Sequence, residues 1–259
     1  MTDDRDILLF TTEDMNENQV VHASDYTEAT ISDYQHDPVG EEDGADNKII
    51  HATTAEFVPL TLDQYLDSYA DFDAGGDFSF TGVWHSAEGL LQYVLDNEDS
   101  VIRGKVLEIG AGTGWLGINV AQRVGDTCHE MLLTDRTEFW LQANLEEARK
   151  QGIPCSQVSC QAMDWSDAMQ VKNIMEQKWD LILGSDLIYS EDGVQLLAQT
   201  LAIFARSGWG TCKILYAHTS GRMPELDGLW EKELQSNGLA WEIRVSRIEE
   251  KGNGIDFPR

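Results

Sequence analysis

The chain has 259 residues, 42% of them hydrophobic, with 46 acidic side chains against 18 basic ones and a formal net charge of −28. That length buries a core without cross-links. A field this negative repels nucleic acid, whose phosphates are met with lysine and arginine, so no nucleic-acid partner is expected and basic partners are favoured. Four cysteines (Cys128, Cys155, Cys160 and Cys212) make no Cys-x-x-Cys pair and meet no histidine at zinc-ligand spacing. No metal site is expected, and the thiols read as reduced in a cytoplasmic or nuclear protein. The start, "MTDDRDILLFTTED", is acidic with only a short apolar run, which fits neither a signal nor a transit peptide. No stretch approaches the ~18 apolar residues of a membrane span.

The charge is uneven. Residues 1–80 hold 20 acids and two bases, Arg5 and Lys48, for a net −18. Residues 1–48 read as disordered or loosely attached, with "DILLF" and "NKIIHATTAEFVPL" as apolar pieces able to dock as edge strands. "TLDQYLDSYADF" (61–72) predicts a helix with Leu62, Tyr65, Leu66 and Tyr69 on one face, and 73–82 a loop. "VWHSAEGLLQYVLDN" carries Trp84, Ala87, Leu91 and Val94 at helical spacing.

From there strands and helices alternate. "KVLEIG" (105–110) leads into a helix through "WLGINVAQRV", and "EMLLTD" (130–135) into "EFWLQANLEEARKQG", stopped by Gly152 and Pro154. A third strand lies within 156–165. "WDLILGSD" (179–186) is apolar on both faces and precedes a helix with Val194, Leu197, Leu201 and Phe204 in one stripe. "CKILYAHTS" (212–220), "PELDGLWEKELQS" (224–236) and "LAWEIRVSRIE" (239–249) read as strand, helix and strand. This order implies an α/β fold with a doubly wound parallel sheet, whose ligands sit off the carboxyl ends of the strands at the switch point.

The loop "VLEIGAGTGWLG" (106–117) stands where such a ligand would lie, and it reads in two frames. Gly110, Gly112 and Gly114 give the Glu-x-Gly-x-Gly-x-Gly of an S-adenosylmethionine (SAM) site. Gly112, Gly114 and Gly117 give the Gly-x-Gly-x-x-Gly of a dinucleotide site. Asp135 closes the second strand, where an acid takes ribose hydroxyls in either case. Three features favour SAM. Glu108, an acid inside an apolar strand, needs a partner in the loop or the ligand's amino end. Asp164 and Trp165 place an acid and a ring where adenine would lie. Asp186 ends the fourth strand, with Tyr189 three residues on.

Together "GVWHSAEGLLQYVL", "VLEIGAGTGWLGI", "LLTD", "AMDW" and "WDLILGSDLIY", about residues 80–220, resemble the seven-β-strand protein lysine methyltransferases marked by an Asp-x-x-Tyr after the fourth strand. The resemblance implies a Rossmann-like class I SAM-dependent methyltransferase domain over 61–259, behind an acidic extension over 1–60. It puts Trp84 over SAM, Gly110, Ala111 and Gly112 in the loop, Asp135 on the ribose, and Trp165 beside adenine. Ser185 would line the pocket, while Asp186 and Tyr189 would face the target lysine. With the negative charge, it points to a basic, lysine-rich protein surface as substrate, and a monomer is expected. A NAD-dependent oxidoreductase, or a methyltransferase acting on a small molecule, is the alternative the glycines and Asp135 leave open. The family's closing strand has no expected counterpart, because only "GNGIDFPR" follows residue 251.

Overall fold

A computed structural model describes residues 7–11, 56–68, 82–97, 104–206, 212–219 and 221–246. The strands are β1 (Ile7–Thr11), β2 (Gly104–Ile109), β3 (Cys128–Asp135), β4 (Val158–Ala162), β5 (Leu181–Ser185), β6 (Lys213–Thr219) and β7 (Glu242–Ser246). The helices are α1 (Leu62–Ser68), α2 (His85–Asp96), α3 (Trp115–Val124), α4 (Phe139–Lys150), α5 (Ala168–Met175), α6 (Glu191–Ala205) and α7 (Pro224–Ser236). The strands form one sheet in the order β4-β3-β2-β5-β6-β1-β7. β4 to β6 run parallel, and β1 is antiparallel to both its neighbours. From β2 the chain winds outward to β4, then returns to lay β5 on the other side of β2. That reversal is the switch point.

Alternation along the strands divides the core in two. Val106, Met131, Leu133, Leu181, Leu183 and Leu215 face one side with α2 and α3. Leu107, Ile109, Leu132, Ile182, Ile214 and Tyr216 face the other with α6 and α7. A period of two on strands covered by helices is the reason β2 and β5 read as continuous apolar runs. The predicted stripe Val194, Leu197, Leu201 and Phe204 is buried throughout. Ser190 caps α6 by accepting from Gly193 N–H, Asp167 caps α5 through Met169 and Gln170, and Pro224 opens α7. The α5 helix, held by that Asp167 cap, is a local signal the periodicity did not bring out.

Two expectations about the first 60 residues change. "DILLF" supplies no edge: Ile7–Thr11 lies inside the sheet, paired with β6 from Ile7↔Thr219 to Thr11↔Leu215 and with β7 from Ile7↔Ser246 to Thr11↔Glu242. Seven strands are present among the described residues, one of them drawn from the start of the chain, and "GNGIDFPR" lies outside those residues. The part of "NKIIHATTAEFVPL" that is described is no strand either. Phe57 N–H donates to Asn119 Oδ1 and Leu60 N–H to Asn144 Oδ1, while Gln151 brackets Val58 at both its N–H and its carbonyl. Side-chain amides of α3 and α4 have taken the place of a strand partner. Phe57 is fully buried, so a boundary at residue 60 falls inside the folded unit. In α1, Tyr65 packs on Trp140 with ring centroids 4.0 Å apart, whereas Leu66 is exposed. The rest of the expected extension, and Tyr69, lie outside the described residues.

Because β1 is hydrogen-bonded on both sides, Leu9→Pro removes a ladder bond from a sheet interior. It is expected to lower stability by about 2 kcal/mol or more, read from urea-unfolding midpoints. An unchanged midpoint would show that β1 does not hold this position.

Candidate active site

The carboxyl ends of β2 and β5 meet at the switch point over a cavity of about 600 Å³, of the size of a cofactor site. Trp84, Glu108, Gly110, Ala111, Gly112, Asp135, Asp164, Trp165, Ser185, Asp186 and Tyr189 all border it. Gly114 stands one step behind the wall, as the left-handed N-cap of α3 with φ of 76°.

Glu108 explains the loop. Strand parity points it to the α3 side, where Oε2 accepts from Gly117 N–H at 2.8 Å. Gly117 is the third residue of the first turn, one of the donors a helix start leaves unpaired. A Cβ on Gly117 would stand 2.4 Å from that oxygen, so glycine is required there. Burial pushes the Glu108 carboxyl up, the Gly117 bond draws it back, and the Asp135 charge adds to the rise, leaving it at about 8. Gly110 has φ of 60°, and a Cβ there would meet Leu187 Cδ2 at 2.3 Å. The two loops of the switch point therefore approach through a bare backbone. Ala111 N–H donates to Thr134 O, and Gly112 N–H to Asp135 Oδ2 at 2.9 Å, which ties the loop to β3.

At the far end, Asp164 Oδ1 accepts from the N–H and hydroxyl of Ser166, at 2.8 and 2.6 Å. These two bonds hold its carboxyl below the usual range against a small opposing effect of burial. Trp165 packs against the α6 side of the core beside it. The acid and the ring both border the cavity at this end.

At the near end the geometry is less simple than a carboxylate open to a substrate. Asp186 has φ of 52°, an uncommon conformation for a residue with a side chain. Its N–H donates to Ala217 O, and the turn sends its carboxylate back against β6. There Oδ1 accepts from Thr219 N–H at 2.9 Å and Oδ2 from the Thr219 hydroxyl at 2.8 Å. His218 Nδ1 stands 3.5 Å from Oδ1 and Arg222 Nη1 3.7 Å from Oδ2. Burial alone would raise this carboxyl. The His218 contact, the Arg222 charge and the Thr219 bonds outweigh it and bring it down to about 2. Beyond, His218 Nε2 lies 2.8 Å from Asp227 Oδ1, and Asp227 Oδ2 accepts from Gly221 N–H. Burial disfavours the imidazolium, but two flanking carboxylates win and raise His218 above its ordinary value. Tyr189 and Trp84 remain 55% and 43% exposed at the cavity mouth, unusual for such large side chains.

Thr219, His218, Arg222 and Asp227 were not singled out from the sequence. His218 and Thr219 end β6, whose carboxyl end adjoins that of β5, and Arg222 stands in the turn after it.

A family profile described as lysine methyltransferase matches residues 73–225. The chain belongs to the lysine methyltransferase family. The matched span contains every residue that borders the cavity. Protein N-lysine methyltransferase METTL21A of Danio rerio is 34% identical over 122 residues, covering 46% of this chain and 52% of that protein. EEF1A lysine methyltransferase 3 of Mus musculus is 31% identical over 156 residues, covering 56% and 63%. Protein-lysine N-methyltransferase EFM6 of Saccharomyces cerevisiae is 29% identical over 154 residues, covering 49% and 59%. The chain thus spans between half and two thirds of the length of these curated relatives. Family membership settles the two frames of the glycine loop in favour of SAM, because the dinucleotide frame belongs to a different chemistry.

The residues present fit that cofactor. The loop offers a backbone without side chains, Asp135 ends β3 beside it, and Asp164 with Trp165 closes the far end of the same cavity.

Glu108 and Asp135 generate two expectations. A carboxyl raised above its unfolded value favours folding while protonated, so its contribution is present below the unfolded pKa, about 4.5, and is lost as pH rises toward 8. Glu108→Gln keeps an acceptor for Gly117 without titrating. The stability of wild type relative to this variant should therefore fall between pH 5 and 8, by on the order of 4 kcal/mol, in urea unfolding at each pH. A constant difference would show that Glu108 is ionised throughout. Asp135→Ala should weaken binding of S-adenosylhomocysteine about tenfold or more in calorimetry, while Tyr189→Phe should leave it unchanged.

Proposed function

We propose that this chain transfers a methyl group from SAM to the side-chain amine of a lysine in a protein substrate. The observation that carries the reading is one cavity, within the span matched by the lysine methyltransferase family, joining the glycine loop to the Asp186–Tyr189 mouth. Trp84, Glu108, Gly110, Ala111, Gly112, Gly114, Asp135, Asp164, Trp165 and Ser185 hold the cofactor in this reading. SAM supplies the methyl as part of a sulfonium, an already activated leaving system, so the protein's task is alignment.

Tyr189 walls the acceptor's approach at the cavity mouth, with Trp84 standing between it and the cofactor. Asp186 contributes a fixed negative charge at the inner end, which holds the acceptor amine by field and hydrogen bond. A carboxylate kept near 2 takes up no proton at neutral pH, so Asp186 orients and does not act as base. The amine must shed its proton before attack, since a lysine ammonium ionises near ~10.4 in water. The open mouth gives that proton a route to solvent.

The net charge of −28 suits a basic, lysine-rich partner surface and disfavours nucleic acid. The reading places a monomer in the cytoplasm or nucleus. The relatives named for EEF1A and for protein lysine support a protein substrate over a small molecule.

The test is incubation with tritiated SAM and a lysate of the source cells, beside Asp186→Asn. A discrete protein band yielding methyl-lysine on hydrolysis is expected, reduced ~10²-fold or more by the substitution. The rate should climb with pH above neutrality. Label confined to small molecules or nucleic acid would overturn the proposal.

A further inference from the structure

One cation reaches the acceptor end of the cavity from the chain itself. The Arg222 guanidinium carbon lies 4.8 Å over the Trp84 ring. Nη1 stands 3.7 Å from Asp186 Oδ2, and Nη2 donates to the carbonyls of Ile188 at 3.1 Å and Asp186 at 3.4 Å. An aromatic face, a carboxylate and two carbonyls are together what an alkylammonium requires of a binding seat. Arg222 is part-buried and borders the same cavity as Ser185 and Tyr189.

Two observations separate this cation from a permanent structural partner of Asp186. Thr219 already bonds both carboxylate oxygens and His218 approaches one of them, so the anion is satisfied before Arg222 is counted. Arg222 itself makes no hydrogen bond to the carboxylate, and its donors go to carbonyls instead. The residue before it, Gly221, is exposed with φ of 71°, and its N–H is held by Asp227 Oδ2, so the turn is anchored and it is the Arg222 side chain that can move. The charges also balance. The Arg222 guanidinium faces the Asp186 carboxylate, and an incoming ammonium would replace that guanidinium one for one. An exchange of like charges avoids stranding a buried anion.

We infer that Arg222 occupies the acceptor seat in the free protein, holding the place of the substrate's lysine ammonium between Trp84 and Asp186, and that its side chain swings out when that lysine enters. The inference rests on the lysine methyltransferase reading of the cavity. Its consequence is a tax on acceptor binding: the measured affinity is the intrinsic one scaled by the fraction of molecules with the seat open.

The probe is n-butylammonium, the end of a lysine side chain, titrated calorimetrically into the full chain bound to S-adenosylhomocysteine. Arg222→Ala and Arg222→Gln are each expected to bind it about tenfold or more tightly than wild type, and Arg222→Ala/Trp84→Ala to lose the gain. Equal affinity in wild type and the single variants, or a gain that survives loss of Trp84, would overturn the inference. A measurement on the wild-type chain guards against misfolded variants. The Arg222 side-chain nitrogen resonance, shifted by the Trp84 ring, should move toward its solvent value as n-butylammonium saturates the site, and a resonance that stays put is equally fatal. Neither readout uses methyl transfer. A wild-type chain that labels no lysine overturns the function above, whereas one that labels lysine while its variants gain no affinity overturns this inference alone.

Discussion

A buried anion at the junction of β5 and β6 organises the working end of this molecule. Asp186 adopts a left-handed backbone, and its carboxylate turns into the sheet, where Thr219, His218 and Arg222 receive it. An isolated carboxylate in such a place would be protonated or expelled. Here donors from the neighbouring strand make the charged form the stable one. The same contacts lock the ends of two adjacent parallel strands in register, so the rim of the cavity is set by electrostatics as much as by packing. Breaking such a set by removing one member costs more than the set adds to stability, because the remaining charges stay buried.

The opposite arrangement holds one strand away. Glu108 is also buried, but its carboxyl is met by the neutral N–H of Gly117, with the charge of Asp135 nearby to oppose ionisation. Its carboxyl rises where that of Asp186 falls. Two acids at equal depth in one cavity thus carry different charges near neutrality, and the difference comes from neighbours, not burial. The acceptor end keeps a buried negative charge with the Arg222 guanidinium beside it, which suits an acceptor that arrives as a cation.

The sheet shows how a chain can close an edge from an unexpected direction. β6 carries Thr219 and His218 at its carboxyl end, and β1 pairs along it from Thr219 to Leu215. The N-terminal strand therefore buttresses the strand that holds Asp186, from the place between it and the edge strand β7. Residues 56–60 serve similarly on another side, where Asn119, Asn144 and Gln151 stand in for a strand partner. Segments of the acidic N-terminal region thus belong to the scaffold of the site.

The residues alone determined the wound core and the cofactor loop, because both depend on short-range rules. Apolar runs covered on two faces, helical stripes such as Val194, Leu197, Leu201 and Phe204, and glycines at the end of a strand carry their meaning within a dozen positions. The resemblance added the Asp-x-x-Tyr and the identity of its neighbours. What only the tertiary structure decided is everything that depends on which strands lie side by side. Nothing local to "DILLF" says that it pairs with residues more than 200 positions away, since backbone ladders are indifferent to side-chain identity. Nothing local to Asp186 says that His218 and Thr219 receive its carboxylate. Those partners sit on a strand that is its neighbour in space and more than 30 residues distant in sequence. Charge state follows from that adjacency, and adjacency is a property of the fold.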